Sequence, residues 1–143
     1  MAKVDIKMPD DFLMKISALN EKTDEIVPRL LKAGADVVLP KVLSNLKDAI
    51  GKNTKQNFRS TGELASALGV SPAKLNRDGN HDIKIGFSEP RSDGGSNAKI
   101  ANILEYGKSG QPARPFMKPA KSATKTSCVE AMKAMLEKEI ENL

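Results

Sequence analysis

At 143 residues with a net charge of +5, the chain is the size of one domain and is expected to fold as a single unit over 1–143. Aromatic residues make up 3% and Trp is absent, so any core must be aliphatic; the basic surplus permits a polyanion partner without demanding one. The lone Cys128 excludes an internal disulfide and suits a reducing compartment, while the lack of a long apolar run or signal-peptide core points to a soluble, cytoplasmic product rather than a membrane one.

Val4, Ile6 and Met8 alternate with Lys3, Asp5 and Lys7, the period of a short strand. Pro9-Asp10-Asp11 then opens a short helix to Leu19, because proline costs little at a first helical position and carboxylates favour the positive end of the helix dipole. A polar connector at 20–24 leads to a long helical pattern over Glu25–Phe58, with Ile26, Leu30, Val37, Val38, Val42, Leu46 and Ile50 among its apolar positions. Pro28 fits its first turn. Pro40 removes the bond to the Asp36 carbonyl, which predicts a kink at 36–40 or two abutting helices.

A short helix is expected at Glu63–Leu68 and a hairpin-type turn at Asp78-Gly79. Ile83, Ile85 and Phe87 alternate with Asp82, Lys84 and Gly86, giving a strand with one apolar face. The Gly- and Ser-rich 88–97 stretch reads as a flexible loop, and Ala98–Tyr106 as a short helix. The last helix is expected over Ser122–Leu143 with Val129, Met132, Leu136, Ile140 and Leu143 in one stripe. The fold class is therefore α+β, a small antiparallel sheet packed on one long, kinked helix and a C-terminal helix, with shorter helices beside them.

Between the last two helices, Pro112, Pro115 and Pro119 surround Phe116, Arg114 and Lys118. Proline fixes its own φ and holds the preceding residue extended, so 111–119 reads as a stiff strap with one large apolar anchor. A strap that loses little entropy on ordering suits docking, within the molecule or between molecules. Gly62 is expected to let the chain turn sharply, Ser60 or Thr61 to cap the helix after it, Gly107 to end the preceding helix as a left-handed cap, and Tyr106 to bury its ring while its hydroxyl reaches a backbone partner or solvent.

Two motifs compete for the function. Glu63–Arg77 resembles a DNA-binding helix-turn-helix through Leu64-Ala65, Leu68-Gly69-Val70-Ser71 and Leu75, although its second helix would have only Pro72 to Arg77. The alternative rests on two segments. Thr61-Gly62-Glu63-Leu64-Ala65-Ser66-Ala67-Leu68 resembles the T-G-x-L-x-x-S signature of a bacteriophage tail-component family. Glu105-Tyr106-Gly107 followed by Pro112-Ala113-Arg114-Pro115-Phe116-Met117-Lys118-Pro119-Ala120 resembles its second signature, E-Y/F-G and then P-A-x-P-F-x-x-P-A.

That resemblance implies a neck, tail-completion or tail-terminator protein at the head–tail joint of a long-tailed phage or prophage. It further implies a homo-oligomeric ring in the virion, monomers in solution until a template partner is present, and head-closure, connector and tail-tube proteins as neighbours. Assembly in the host cytoplasm is implied too, without sequence-specific nucleic-acid binding or a membrane. The assembly residues it implies are Thr61, Gly62, Leu64, Ser66, Glu105, Tyr106, Gly107, Pro112, Ala113, Arg114, Pro115, Phe116, Lys118 and Pro119. No catalytic, cofactor or metal site is expected. His81 has no nucleophile beside it, and one His with one Cys does not make a zinc site.

Overall fold

A computed structural model describes residues 2–9, 23–51, 63–75, 77, 80–89 and 94–142. Its elements run β1 (Val4–Lys7), α1 (Thr23–Gly51), α2 (Glu63–Ala67), β2 (Leu68–Val70), β3 (Lys74–Leu75), β4 (His81–Phe87), α3 (Asn97–Tyr106) and α4 (Met117–Glu141). The architecture is α+β. The expected helix after Pro9, the end of the long helical pattern beyond Gly51, Thr61-Gly62, Asp78-Gly79 and the middle of the 88–97 loop lie outside the described residues.

The sheet forms around β4, which pairs antiparallel with β1 on one side and with β2 and β3 on the other. Val4 sits opposite Ile85 and Ile6 opposite Ile83, so the alternation read from each strand puts four branched side chains on one buried face. The register moves by one residue between the Val70–Ile85 and Lys74–Asp82 pairs, which makes Ser71–Ala73 a bulge. Asp82, on the other face and buried, has Lys7 and Lys74 as its cross-strand neighbours. His81 is the first residue of β4, its Nε2 3.9 Å from Asp24 Oδ1.

Helix α1 is a single 29-residue helix that runs through Pro40, so the two-helix alternative is excluded. Because α1 begins at Thr23, Pro28 lies in its second turn rather than its first. Each proline forfeits one backbone bond. Burial of Leu30, Leu31, Ala35, Val38, Val42 and Leu46 between the sheet and α4 outweighs that loss.

Helix α4 packs antiparallel along α1. Arg29 pairs with Glu139 at one end, at 3.0 Å, while Asn45 Nδ2 donates to the Phe116 carbonyl at the other, at 3.2 Å. Gly34 of α1 lies against α4, where an added Cβ would stand 2.9 Å from Cys128 Sγ and 3.0 Å from Met132 Cγ. Cys128 is buried as a small hydrophobe, and that burial pushes its thiol pKa up.

The stripe that α4 buries is Met117, Ala120, Thr124, Cys128, Met132 and Leu136, a four-residue repeat from Ala120 onward. Val129 and Ile140, expected inside, are exposed. A strict four-residue step winds slowly around a helix of 3.6 residues per turn, and the partner α1 selects which row is covered.

Candidate assembly site

The corner where α3 turns back into α4 holds most of the sequence-predicted assembly residues. Helix α3 is capped by Ser96, whose Oγ accepts from the Lys99 N–H. Ser96 also donates to Glu89 Oε1, the oxygen that receives the Ala98 N–H. Asn97, buried at the first helical position, donates to the Ser88 carbonyl at 2.8 Å and so ties α3 to the end of β4.

At the other end of α3, the Gly107 N–H donates to the Ile103 carbonyl at 2.7 Å. Gly107 has φ 77° and ψ 178°, so it is not the left-handed helical cap expected but an extended, positive-φ residue that only glycine adopts readily. A Cβ there would meet Ala113 N at 2.8 Å and the Gln111 carbonyl at 2.9 Å. Space and conformation both demand glycine because the chain folds directly over it.

Beyond Gly107 the chain makes a tight two-residue turn. Lys108 and Gln111 exchange backbone bonds of 3.0 and 2.9 Å around Ser109 and Gly110, with Gly110 at φ 81°. Arg114 N–H then donates to the Leu104 carbonyl at 2.6 Å and its guanidinium reaches the Ala49 carbonyl at 3.4 Å, fastening the strap to both α3 and α1. Pro112, Ala113 and Pro115 remain exposed on it.

The strap ends sooner than the prolines suggest, since α4 begins at Met117 and not at Ser122. Phe116 is the residue before that helix. Its ring is fully buried and meets Phe87 edge-on, with centroids 6.1 Å apart and planes at 73°. Of the two kinds of docking open to this anchor, the buried ring serves packing within the molecule.

Glu105 explains how the two halves of the second signature belong together. Its carboxylate is buried, 4% exposed, at the start of α4. Oε2 accepts from Phe116 N–H at 2.8 Å and Met117 N–H at 2.9 Å, and Oε1 accepts from Lys118 N–H at 3.0 Å. The first four N–H groups of a helix lack internal partners. Here three are taken by one carboxylate from another helix, and the fourth position is Pro119, which has no N–H. The negative charge also faces the positive end of the helix dipole. Glu105 and P-F-x-x-P thus form one device, a cap supplied from eleven residues before Phe116, the residue that precedes the helix.

Tyr106, expected to bury its ring, is 65% exposed beside that device. It is the last residue of α3 and the one large apolar group that this corner offers to solvent. Of the first signature, Thr61 and Gly62 lie outside the described residues. Leu64 is in the core, and Ser66 is exposed one position before the serine of the pattern, where the chain has Ala67.

The chain matches, over residues 10–107, the HK97-gp10-like family, described as "Bacteriophage HK97-gp10, putative tail-component". The chain belongs to this family. The match includes Thr61-Gly62 and Glu105-Tyr106-Gly107 but stops before the proline strap. No curated protein and no solved structure matches the chain. Membership in a tail-component family carries a structural role in the virion.

The helix-turn-helix reading fails on the structure. Leu68–Val70 forms strand β2 and Lys74–Leu75 forms strand β3, so the segment that should supply a recognition helix is part of the sheet. The bulge and the pairing to β4 override the local Leu-Gly-Val-Ser resemblance, because a six-residue helix could not have buried comparable surface there. A depression of about 260 Å³ over Gly69, Val70, Gly86 and Phe87 has Lys84 as its one titratable lining side chain, and so offers no acid–base pair. Among the described residues no helix is long and apolar enough to cross a membrane, and no cluster of His, Cys, Asp or Glu suits a metal.

Proposed function

We propose that the protein acts at the head–tail joint or tail end of a phage-like particle, as a neck, tail-completion or tail-terminator subunit. Copies associate head-to-tail into a ring, a heterologous contact that closes when the rotation per subunit divides the circle. Head-closure or connector proteins lie on one side and tail-tube proteins on the other. Its work is to hold surfaces together rather than to turn over a substrate.

The observation that carries the reading is a rigid, exposed corner inside a tail-component domain. Tyr106 and the 108–113 turn project from a backbone pinned by Gly107, the Arg114–Leu104 bond and the Glu105 cap. A surface held in one shape loses little entropy when it docks, and an exposed tyrosine beside it is the residue type that anchors interfaces.

The test is genetic and structural. Tyr106→Ala combined with Ala113→Glu changes two exposed side chains and leaves the cap intact. Heads and tails are expected to accumulate unjoined while the purified variant keeps its melting temperature. Normal joining by the folded variant, or localisation of the protein away from the neck and tail end by electron microscopy of labelled particles, overturns the proposal.

A further inference from the structure

From Tyr106 to Val129 the chain carries five cations, Lys108, Arg114, Lys118, Lys121 and Lys125, and no carboxylate. Glu105, just upstream, is buried with both oxygens committed to the start of α4. The four lysines are exposed, and none has an ion-pair partner among the described residues. Lys118, Lys121 and Lys125 follow the i, i+3, i+7 spacing that shares one side of a helix, and they span about 10 Å along it. The adjoining end of α1 adds Lys47 and Asp48, which offset each other.

The opposite end of the same helix pair carries more carboxylates than cations, Asp24 and Glu25 at the start of α1 among them. Arg29 pairs with Glu139 at 3.0 Å and Lys32 with Asp36 at 2.8 Å. There Glu130, Glu137 and Glu141 are interleaved with Lys133 and Lys138. The surplus positive charge of the helix pair is thus concentrated at the α4 N-terminal end.

The chemistry around those lysines discriminates between partners. Their exposed neighbours are small or hydroxylic, Ser109, Ser122, Ala123, Thr126 and Ser127. The large exposed hydrophobics, Tyr106 and Val129, stand only at the limits of the segment. Protein interfaces are centred on aromatic and apolar anchors and are depleted in lysine, whereas phosphate oxygens are met by cations and hydroxyls. A single aromatic ring provides no stacking platform for unpaired bases.

We infer that the Lys118–Lys125 face of α4 binds the phosphate backbone of duplex DNA without sequence preference. This binding is separate from the subunit contacts at Tyr106 and does not depend on the position of the protein in a particle. It releases counterions, so its affinity falls steeply with salt, by a log–log slope of about −0.9 per phosphate neutralised.

Fluorescence anisotropy of a labelled random-sequence duplex, titrated with the full chain at several salt concentrations, tests it. Two triple variants with the same change in net charge are compared: Lys118→Gln/Lys121→Gln/Lys125→Gln, and Lys32→Gln/Lys133→Gln/Lys138→Gln at the other end. The first is expected to weaken binding at low salt by about tenfold or more and to reduce the slope by between about 2 and 3, the second to stay within about twofold of wild type. Absence of binding by the wild-type chain at low salt overturns the inference. So does equal weakening in both triple variants, which would make net charge alone responsible. Loss of salt-sensitive self-association in place of DNA binding would assign the face to a second copy instead. Should the first triple variant melt early, Lys121→Gln and Lys125→Gln taken singly carry the test, each reducing the slope by about 0.9.

Discussion

The residues from Glu105 to Ala120 divide into two parts with opposite fates. Glu105, Phe116, Met117 and Ala120 face inward: a carboxylate closes a helix end and a phenyl ring fills the space between sheet and helices. Tyr106, Lys108 to Gly110, Pro112 and Ala113 face outward on a turn whose shape the inward residues set. The difference shows why a sequence signature need not be an interface in itself. Half of it builds the support and half is presented by that support.

Substitutions that break the inward part should cost stability, and those in the outward part should cost only assembly. Phe116→Ala is expected to have the largest effect, a loss of about 3–5 kcal/mol from the cavity beside Phe87, read as a lowered midpoint in urea unfolding. Next comes Glu105→Gln, which turns a donor toward N–H groups that need acceptors and removes the charge facing the helix dipole. A loss of about 2–3 kcal/mol is expected, measured by the same unfolding curve. An unchanged midpoint in that variant would show that the cap does not hold the corner.

Gly107→Ala should destabilise by about 1–3 kcal/mol, since the new methyl group meets Ala113 N and the Gln111 carbonyl in a backbone conformation unfavourable to alanine. Amide exchange should show the 108–114 turn losing protection before the rest of the domain. Tyr106→Ala is expected to have the smallest effect, a stability change within about 0.5 kcal/mol, while particle assembly suffers. A large fall in melting temperature for this variant would erase the distinction between the two parts.

Much of the fold was legible because periodicity reports burial. The alternation at 4–8 and 83–87 marked the paired strands, and the spacing from Ile26 to Leu46 marked the face of α1. Elsewhere a local signal was ambiguous and a distant partner decided it. The Leu68–Ser71 segment resembles a helix-turn-helix, yet β4 was available to pair with it, and backbone pairing over 68–75 won. Gly34 drew no notice in the sequence, because a mid-helix glycine acquires meaning only when Cys128 and Met132 lie against it.

The corner divides in the same way. The prolines, Gly107 and the lone Phe116 marked 105–120 as special, since each restricts the backbone or supplies apolar area wherever it occurs. Nothing in the spacing said that Glu105 would reach the N–H groups of 116–118, or that Phe116 would turn in and Tyr106 out.

By itself, then, the amino-acid sequence determined the α+β class, the family, the apolar faces of β1, β4 and α1, and the rigidity of the strap. The family follows from the match to its model, and the rest from short-range sterics and repeating patterns of polarity. Tertiary structure alone decided which aromatic ring is buried, where α4 begins and which of its rows is covered. It also decided that the surplus positive charge of the helix pair gathers at one end. Those outcomes depend on which residues far apart in the chain are brought within a few ångströms, where desolvation and hydrogen-bond satisfaction outweigh local preference.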